Sequence, residues 1–378
     1  MTWRIPLSDV DFGPEELQAV AEVLRSGWLS MGSVTQQFEQ EFALYTNSSY
    51  AIAVTNATAA LHLACIVLGL GPDDEVIVPS LTFVASVNAI RYTGATPVFA
   101  DIEGEHFLNI TPDTIRACLT EKTRAIMVVH YAGYACDMPA IQALAKENSL
   151  AVIEDAAHAV GSTLDGRMLG TWGDIGCYSF FSNKNMTTGE GGMLVTDNEI
   201  YSNRLRVMRS HGMTSLSWDR HQGHAWSYDV VELGYNYRID EMRAALGRVQ
   251  LAKLERSNHR RKELTKLYRE FMDELAPDVI IPFDQAPGDS SCHILPLLLP
   301  KGTDRIQFME RMKGSGIQTS IHYPPVHQFR IYQDQKHSPV SLRTTEEIVE
   351  REVTLPLYPG MSNEDVKTVV EAVRESLR

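Results

Sequence analysis

The chain is poor in cysteine, poor in positive charge and without a long apolar run. Its five cysteines (Cys65, Cys118, Cys136, Cys177 and Cys292) are odd in number and scattered without metal-ligand spacing. That argues against a disulfide scaffold and a metal centre, and for free thiols in a reducing compartment. No uncharged stretch of about 18 apolar residues occurs, so no membrane span is expected. The segment Met1–Pro6 lacks the apolar core of a signal peptide, and a cytoplasmic location is the expectation. Lys plus Arg number 34 against 48 Asp plus Glu, a formal net charge of −14. A field of that sign disfavours a nucleic-acid or anionic membrane surface. It leaves an anionic small ligand open, because a local cluster of donors can hold a phosphate.

What is present suits a soluble globular protein: 378 residues, 44% apolar and 22% charged, enough for a large and a smaller domain. From residue 50 to 200 short apolar runs alternate with helical patterns, which predicts an α/β fold with a mostly parallel central sheet flanked by helices. Strands are expected at Ala51–Thr55, Glu75–Pro79, Thr96–Asp101, Ala125–His130, Ala151–Asp155, Cys177–Phe181 and Met193–Thr196. Helices are expected from Ala57, over Phe83–Tyr92, after the Thr111-Pro112 cap and over Met138–Ala145. A long helical region, Glu241–Phe271, bridges to a second, smaller α+β domain. Strands at His293–Leu299 and Gln318–Ile321, a helix near Asp304–Lys313 and a final helix capped by Ser362 are expected there. The division expected is 1–255 for the large domain and 256–378 for the small one.

Three segments carry chemistry. In Thr55-Asn56-Ala57-Thr58-Ala59-Ala60 a strand ends and a helix begins. Small residues there let a ligand reach free N–H groups at the positive end of a helix dipole. In Val152-Ile153-Glu154-Asp155-Ala156-Ala157-His158 two acids close a strand at the sheet edge where open α/β folds bind ligands. Asp155 there reads either as a helix cap or as a carboxylate that keeps a ligand's ring nitrogen protonated. In Ser179-Phe180-Phe181-Ser182-Asn183-Lys184-Asn185, followed by Gly189, Gly191 and Gly192, a lysine sits between a strand and a glycine-rich loop. Buried, such an amine has a lowered pKa and can attack an aldehyde.

These segments resemble the DegT/StrS sugar aminotransferases, fold-type I enzymes that use pyridoxal 5′-phosphate. The resemblance extends over nearly the whole chain. It includes Ser26-Gly27-Trp28-Leu29-Ser30, Asn56–His62, Val78–Ala85, Gly94–Phe99, Leu233-Gly234-Tyr235-Asn236-Tyr237-Arg238, His322-Tyr323 and Leu355–Gly360. It implies that Lys184 holds the cofactor as a Schiff base and then shuttles the proton, with Asp155 on the pyridine nitrogen and Phe83 stacked on the ring. It implies that Ala57, Thr58 and Ser179 hold the phosphate, and that Asn236 and Arg238 reach it from the partner subunit of a homodimer. His158 stands where Gln is commonest in the family; either can donate to the cofactor's phenolic oxygen, though a histidine is titratable.

The resemblance further implies transfer of an amino group, from L-glutamate, to a keto group of a nucleotide-linked sugar or cyclitol. Substrate contacts are expected near Trp28, Ser30, His211, His322 and Tyr323. The segment Ser217–Tyr228, with Trp218, Arg220, His221, His224 and Trp226, fits either nucleotide-sugar recognition or a dimer-interface loop. The basic residues of Glu255–Arg269 (Arg256, Arg260, Arg261, Lys262 and Lys266) read as a solvated helix face. Two other readings are a sugar dehydratase and a non-catalytic regulatory homologue. The family's dehydratases replace the lysine with histidine, and a homologue without turnover is expected to lose Lys184 or Asp155, so the presence of both counts against each.

Overall fold

The protein is seen here as a computed structural model that describes residues 3–214, 227–333 and 340–378. Eleven strands are formed among the described residues. They are β1 (Tyr50–Val54), β2 (Glu75–Pro79), β3 (Thr96–Ala100), β4 (Thr123–Val129), β5 (Ala151–Asp155), β6 (Thr163–Leu164), β7 (Arg167–Met168), β8 (Ile175–Ser179), β9 (Gly192–Thr196), β10 (Leu295–Leu298) and β11 (Glu352–Leu355). Seven of them make the central sheet in the order β1-β9-β8-β5-β4-β2-β3. Only β9 runs against its neighbours; the other strands share one direction.

The strands are apolar along their length because helices cover both faces. In β4, Ile126 and Val128 pack in one layer with Ile141 and Leu144 of the helix Met138–Glu147. Ala125 and Met127 face the opposite layer, with Leu61 and Ala64 of the helix Ala57–Val67. The alternation is the period-2 consequence of the pleat.

The helix Glu241–Leu275 joins two cores. Ala244 and Leu254 belong to the layer under the sheet, whereas Leu264, Tyr268 and Met272 pack with β10, β11 and the final helix Asn363–Ser376. The expected division after residue 255 falls inside this helix. At its start Glu241 also caps another helix, Ser33–Thr46. Gly32 has no side chain to offer as a cap, and the Glu241 carboxylate accepts from the amides of Gly32, Val34 and Thr35 at 2.8–2.9 Å. A carboxylate at a helix N-terminus satisfies orphan donors and complements the dipole.

Two expectations are corrected. Gln318–Ile321 is not a strand: Ser320 alone bridges Thr354, and the next free amide, that of His322, donates to the Glu352 carboxylate at 2.9 Å. A side chain thus takes the bond that a ladder would need. The helix face around residue 261 is not solvated either. Arg261 is buried and donates to the carbonyls of His293 and Leu357 at 3.1 and 2.8 Å. Arg256, Lys262 and Lys266 do pair with carboxylates on the exposed side.

Candidate active site

Strand register brings the chemical segments to one edge of the sheet. Asp155, the last residue of β5, stands opposite Cys177 of β8. Ser179 ends β8 opposite Gly192, and Gly192 also faces Val54 at the end of β1. The first turn of the helix Ala57–Val67 follows directly. Its cap is Asn56, whose side chain accepts from Ala59 N at 2.8 Å. The amides of Ala57 and Thr58 have no acceptor within the helix and point at the same edge. A Cβ at Gly192 would lie 2.5 Å from Asn56 C and 2.7 Å from Ala57 N, so only glycine lets the two segments meet.

Lys184 sits in the loop after β8, which is closed by Phe180 N donating to Gly191 O and Thr188 N to Phe180 O, each at 2.9 Å. Burial pulls its amine from the ordinary 10.5 down to about 7, against the carboxylate of Asp155, which favours the ammonium. Asp155 is itself buried and its pKa is raised by desolvation. The Ser86 hydroxyl at 2.7 Å, Ala157 N–H at 3.1 Å and the charges of Lys184 and His130 oppose that rise. Glu154, the acid beside it, points the other way and accepts from His130 and from the amides of Gly170 and Gly173. Its role is to hold the loop before β8.

Around Lys184 lies a group of buried side chains. His158 is fixed by a backbone donor: Ala132 N–H gives its hydrogen to Nδ1 at 3.2 Å. The ring proton is therefore on Nε2, which donates to Tyr323 Oη at 2.9 Å. Tyr323 in turn packs against Phe83 with centroids 5.6 Å apart, and Phe83 is 55% exposed at this edge. An exposed aromatic beside a lysine and a carboxylate leaves one ring face for a planar ligand. His322 contacts Thr354 Oγ1 through Nδ1 at 2.8 Å, and that hydroxyl donates to Glu352 Oε1 at 2.6 Å. Burial lowers His322 to about 4, with the Lys184 charge adding to it, and lifts Glu352 to about 8.

The structure thus gathers Lys184, Asp155, Phe83, His158, His322 and Tyr323, with Ala57, Thr58 and Ser179 along the same edge. Other expected residues lie apart within one chain. Trp28 lines a groove of about 1050 Å³ between the first two helices and the helix Glu241–Leu275, and Ser30 is exposed beside it. His211 is exposed, and Asn236 bridges Ser210 in the segment that follows. Tyr237 O accepts from Thr55 N at 2.9 Å, so Asn236 and Arg238 flank a contact with the end of β1. Trp218, Arg220, His221, His224 and Trp226 lie outside the described residues.

Sequence reasoning missed His293, whose Nε2 is 3.3 Å from Lys184 Nζ. It also missed Ser86, which holds Asp155, and Glu352. A histidine opening an apolar run at Cys292-His293-Ile294 was a signal of a buried polar group, but its partner is 109 positions away.

A family model, the DegT/DnrJ/EryC1/StrS aminotransferase family, matches residues 10–374. The chain belongs to this family. It is an aminotransferase of the pyridoxal-phosphate-dependent kind. The spore coat polysaccharide biosynthesis protein SpsC of Bacillus subtilis (strain 168) is 42% identical, over 99% of this chain and 97% of its own length. Among solved structures, PseC of Helicobacter pylori, an aminotransferase involved in the biosynthesis of pseudoaminic acid, superposes with a TM-score of 0.91 at 27% identity, over 99% of both chains. Spr1654 of Streptococcus pneumoniae in its PLP form gives a TM-score of 0.91 at 29% identity, over 98% of both chains. The DegT/DnrJ/EryC1/StrS family thus fits the mostly parallel sheet flanked by helices. The donor set fits pyridoxal phosphate as well: a half-buried amine with a lowered pKa, a buried carboxylate, free helix amides and one open aromatic face.

Proposed function

We propose that this chain moves an amino group, from L-glutamate, to a keto group of a nucleotide-linked sugar or a related cyclitol. The observation that carries the reading is the half-buried Lys184, its amine lowered to about 7 by desolvation and 3.3 Å from His293 Nε2, at the sheet edge where the buried Asp155 ends β5. Bound pyridoxal phosphate supplies an aldehyde that reacts with amines and a ring that takes up electron density from the bond broken at the donor carbon.

The chain's own groups have these roles. Lys184 would hold the cofactor covalently, and its free neutral amine would take a proton and return it. Asp155 accepts from the protonated ring nitrogen and keeps that charge in place. Phe83 fixes the plane of the ring. The amides of Ala57 and Thr58, with the hydroxyls of Thr58 and Ser179, bind the phosphate. His158 donates toward the ring's phenolic oxygen, directly or through Tyr323. In a homodimer Asn236 and Arg238 come from the partner chain, as do Trp28, Ser30 and His211 near the acceptor, while His322 and Tyr323 come from the chain that holds the cofactor. A division into 1–255 and 256–378 and a cytoplasmic location complete the reading. The relatives named for spore coat polysaccharide and pseudoaminic acid biosynthesis support a sugar acceptor.

The test is to incubate the purified protein with glutamate and a panel of nucleotide-linked ketosugars and to follow 2-oxoglutarate. Release that depends on one ketosugar supports the reading; no release with any member refutes it.

A further inference from the structure

His293 is a buried histidine that the roles above leave unused, and its surroundings fix which nitrogen carries the proton. Ser291 O is a carbonyl and can only accept, so the Asn185 amide must point its NH₂ there, at 2.9 Å, and to Asn258 Oδ1 at 2.7 Å. That leaves Asn185 Oδ1 facing His293 Nδ1 at 2.8 Å, where it can only accept. The His293 proton is therefore on Nδ1. Its Nε2 is a bare lone pair, 3.3 Å from Lys184 Nζ. Burial, then the Lys184 charge, then neighbouring His158 keep the imidazole from gaining a second proton.

We propose that His293 is a positioning residue for amino transfer: its Nε2 accepts one N–H of Lys184 and so sets the direction of the amine's own lone pair. An amine with one N–H tied to a fixed acceptor has fewer orientations to lose before it reacts. His293 takes no proton; the proton that Lys184 moves stays on Nζ until it is delivered. Asn185 and Asn258 are part of the device, because releasing the Asn185 amide would let His293 adopt the other tautomer and donate. The proposal rests on the reading of Lys184 as the reacting amine.

Its test begins with ¹⁵N-histidine NMR of the full chain, with and without pyridoxal phosphate. His293 is expected as the Nδ1–H tautomer from pH 6 to 9; an Nε2–H tautomer or an imidazolium would overturn the proposal. The second measurement is the rate at which trinitrobenzenesulfonate modifies Lys184 in cofactor-free protein, set beside kcat and KM. His293→Leu is expected to lower the modification rate and kcat by about tenfold or more, with KM little changed, as loss of a buried hydrogen bond would give. His293→Gln, whose Oε1 can take the place of Nε2, is expected to recover most of both. A His293→Leu chain equal to wild type, or a His293→Gln chain as poor as His293→Leu, would contradict it. If His293→Leu does not fold, His293→Gln and the wild-type tautomer still decide. The tautomer is read without cofactor, so a failure of the cofactor assignment shows instead as absent visible absorption with this signal intact.

Discussion

His158 and His293 pack with ring centroids 4.5 Å apart, yet their hydrogen bonds put the proton on opposite nitrogens. Ala132 N–H occupies Nδ1 of the first, so it donates through Nε2; Asn185 Oδ1 occupies Nδ1–H of the second, so it accepts through Nε2. Both rings are buried beside a lysine, and burial and that charge keep them neutral. One wall of the site therefore offers a donor and the other an acceptor, and neither imidazole adds a charge of its own.

The donor side can be tested by His158→Gln. The amide NH₂ of Gln reaches the position of Nε2, so Tyr323 keeps its partner and kcat should stay within a few-fold of wild type. His158→Phe keeps the ring but leaves Tyr323 Oη without its donor, at a cost on the order of 1–3 kcal/mol, and kcat should fall about tenfold or more. Equal rates in the two variants would contradict the assignment.

Asp155→Ala should fold and retain some pyridoxal phosphate, since the phosphate contacts and Lys184 remain. Its half-reaction with glutamate, followed by stopped-flow absorbance, should slow by several orders of magnitude, because the carboxylate proposed to keep the ring nitrogen charged is removed. A near-normal half-reaction would remove Asp155 from its role.

Glu352 gives a pH prediction. Its folded pKa is raised from 4.5 to about 8 by burial, so the native state binds more protons than the unfolded chain between those values. The contribution is present in full below the unfolded pKa and is lost as pH rises through about 8. Lys184, lowered to about 7, works in the opposite sense over its own range, but it is common to wild type and Glu352→Gln. The stability of wild type relative to Glu352→Gln, from urea unfolding, should therefore fall between pH 5 and pH 8. A difference that is flat or rises with pH would contradict the account.

A site shared between two subunits, as proposed, predicts complementation. Asn236→Ala and Lys184→Ala chains should each be nearly inactive as homodimers. Mixed under exchange, they form heterodimers in which one of the two sites is doubly altered and the other is unaltered. Recovery of part of the wild-type rate is expected; no recovery, with heterodimers shown to form, would place Asn236 in its own chain's site or in neither.

The fold was legible where a single residue pattern decided it. Glu75–Pro79 and Ala151–Asp155 form the expected strands because both sides are covered and every residue from Val76 to Val78 is apolar. Thr111 and Ser362 cap their helices as expected, because capping needs only a neighbour three positions on. What failed depended on distant partners. Gln318–Ile321 has strand composition, but Glu352 takes the amide of His322. Arg261 looks like its exposed neighbours until the carbonyls of His293 and Leu357 are brought to it. Lys184 and Asp155 could be singled out because Asp155 closes a strand and Lys184 sits in the glycine-rich loop that follows another. His293 could not, since its meaning comes from Asn185 and Ser291, which are placed by tertiary packing.

The most direct measurement is where pyridoxal phosphate attaches. Reduction of the coloured protein with borohydride, followed by peptide mass spectrometry, should find the phosphopyridoxyl group on Lys184, and Lys184→Ala should be colourless and unlabelled while keeping its fold. A label on another lysine, or a Lys184→Ala chain that still colours and labels, would contradict the central claim.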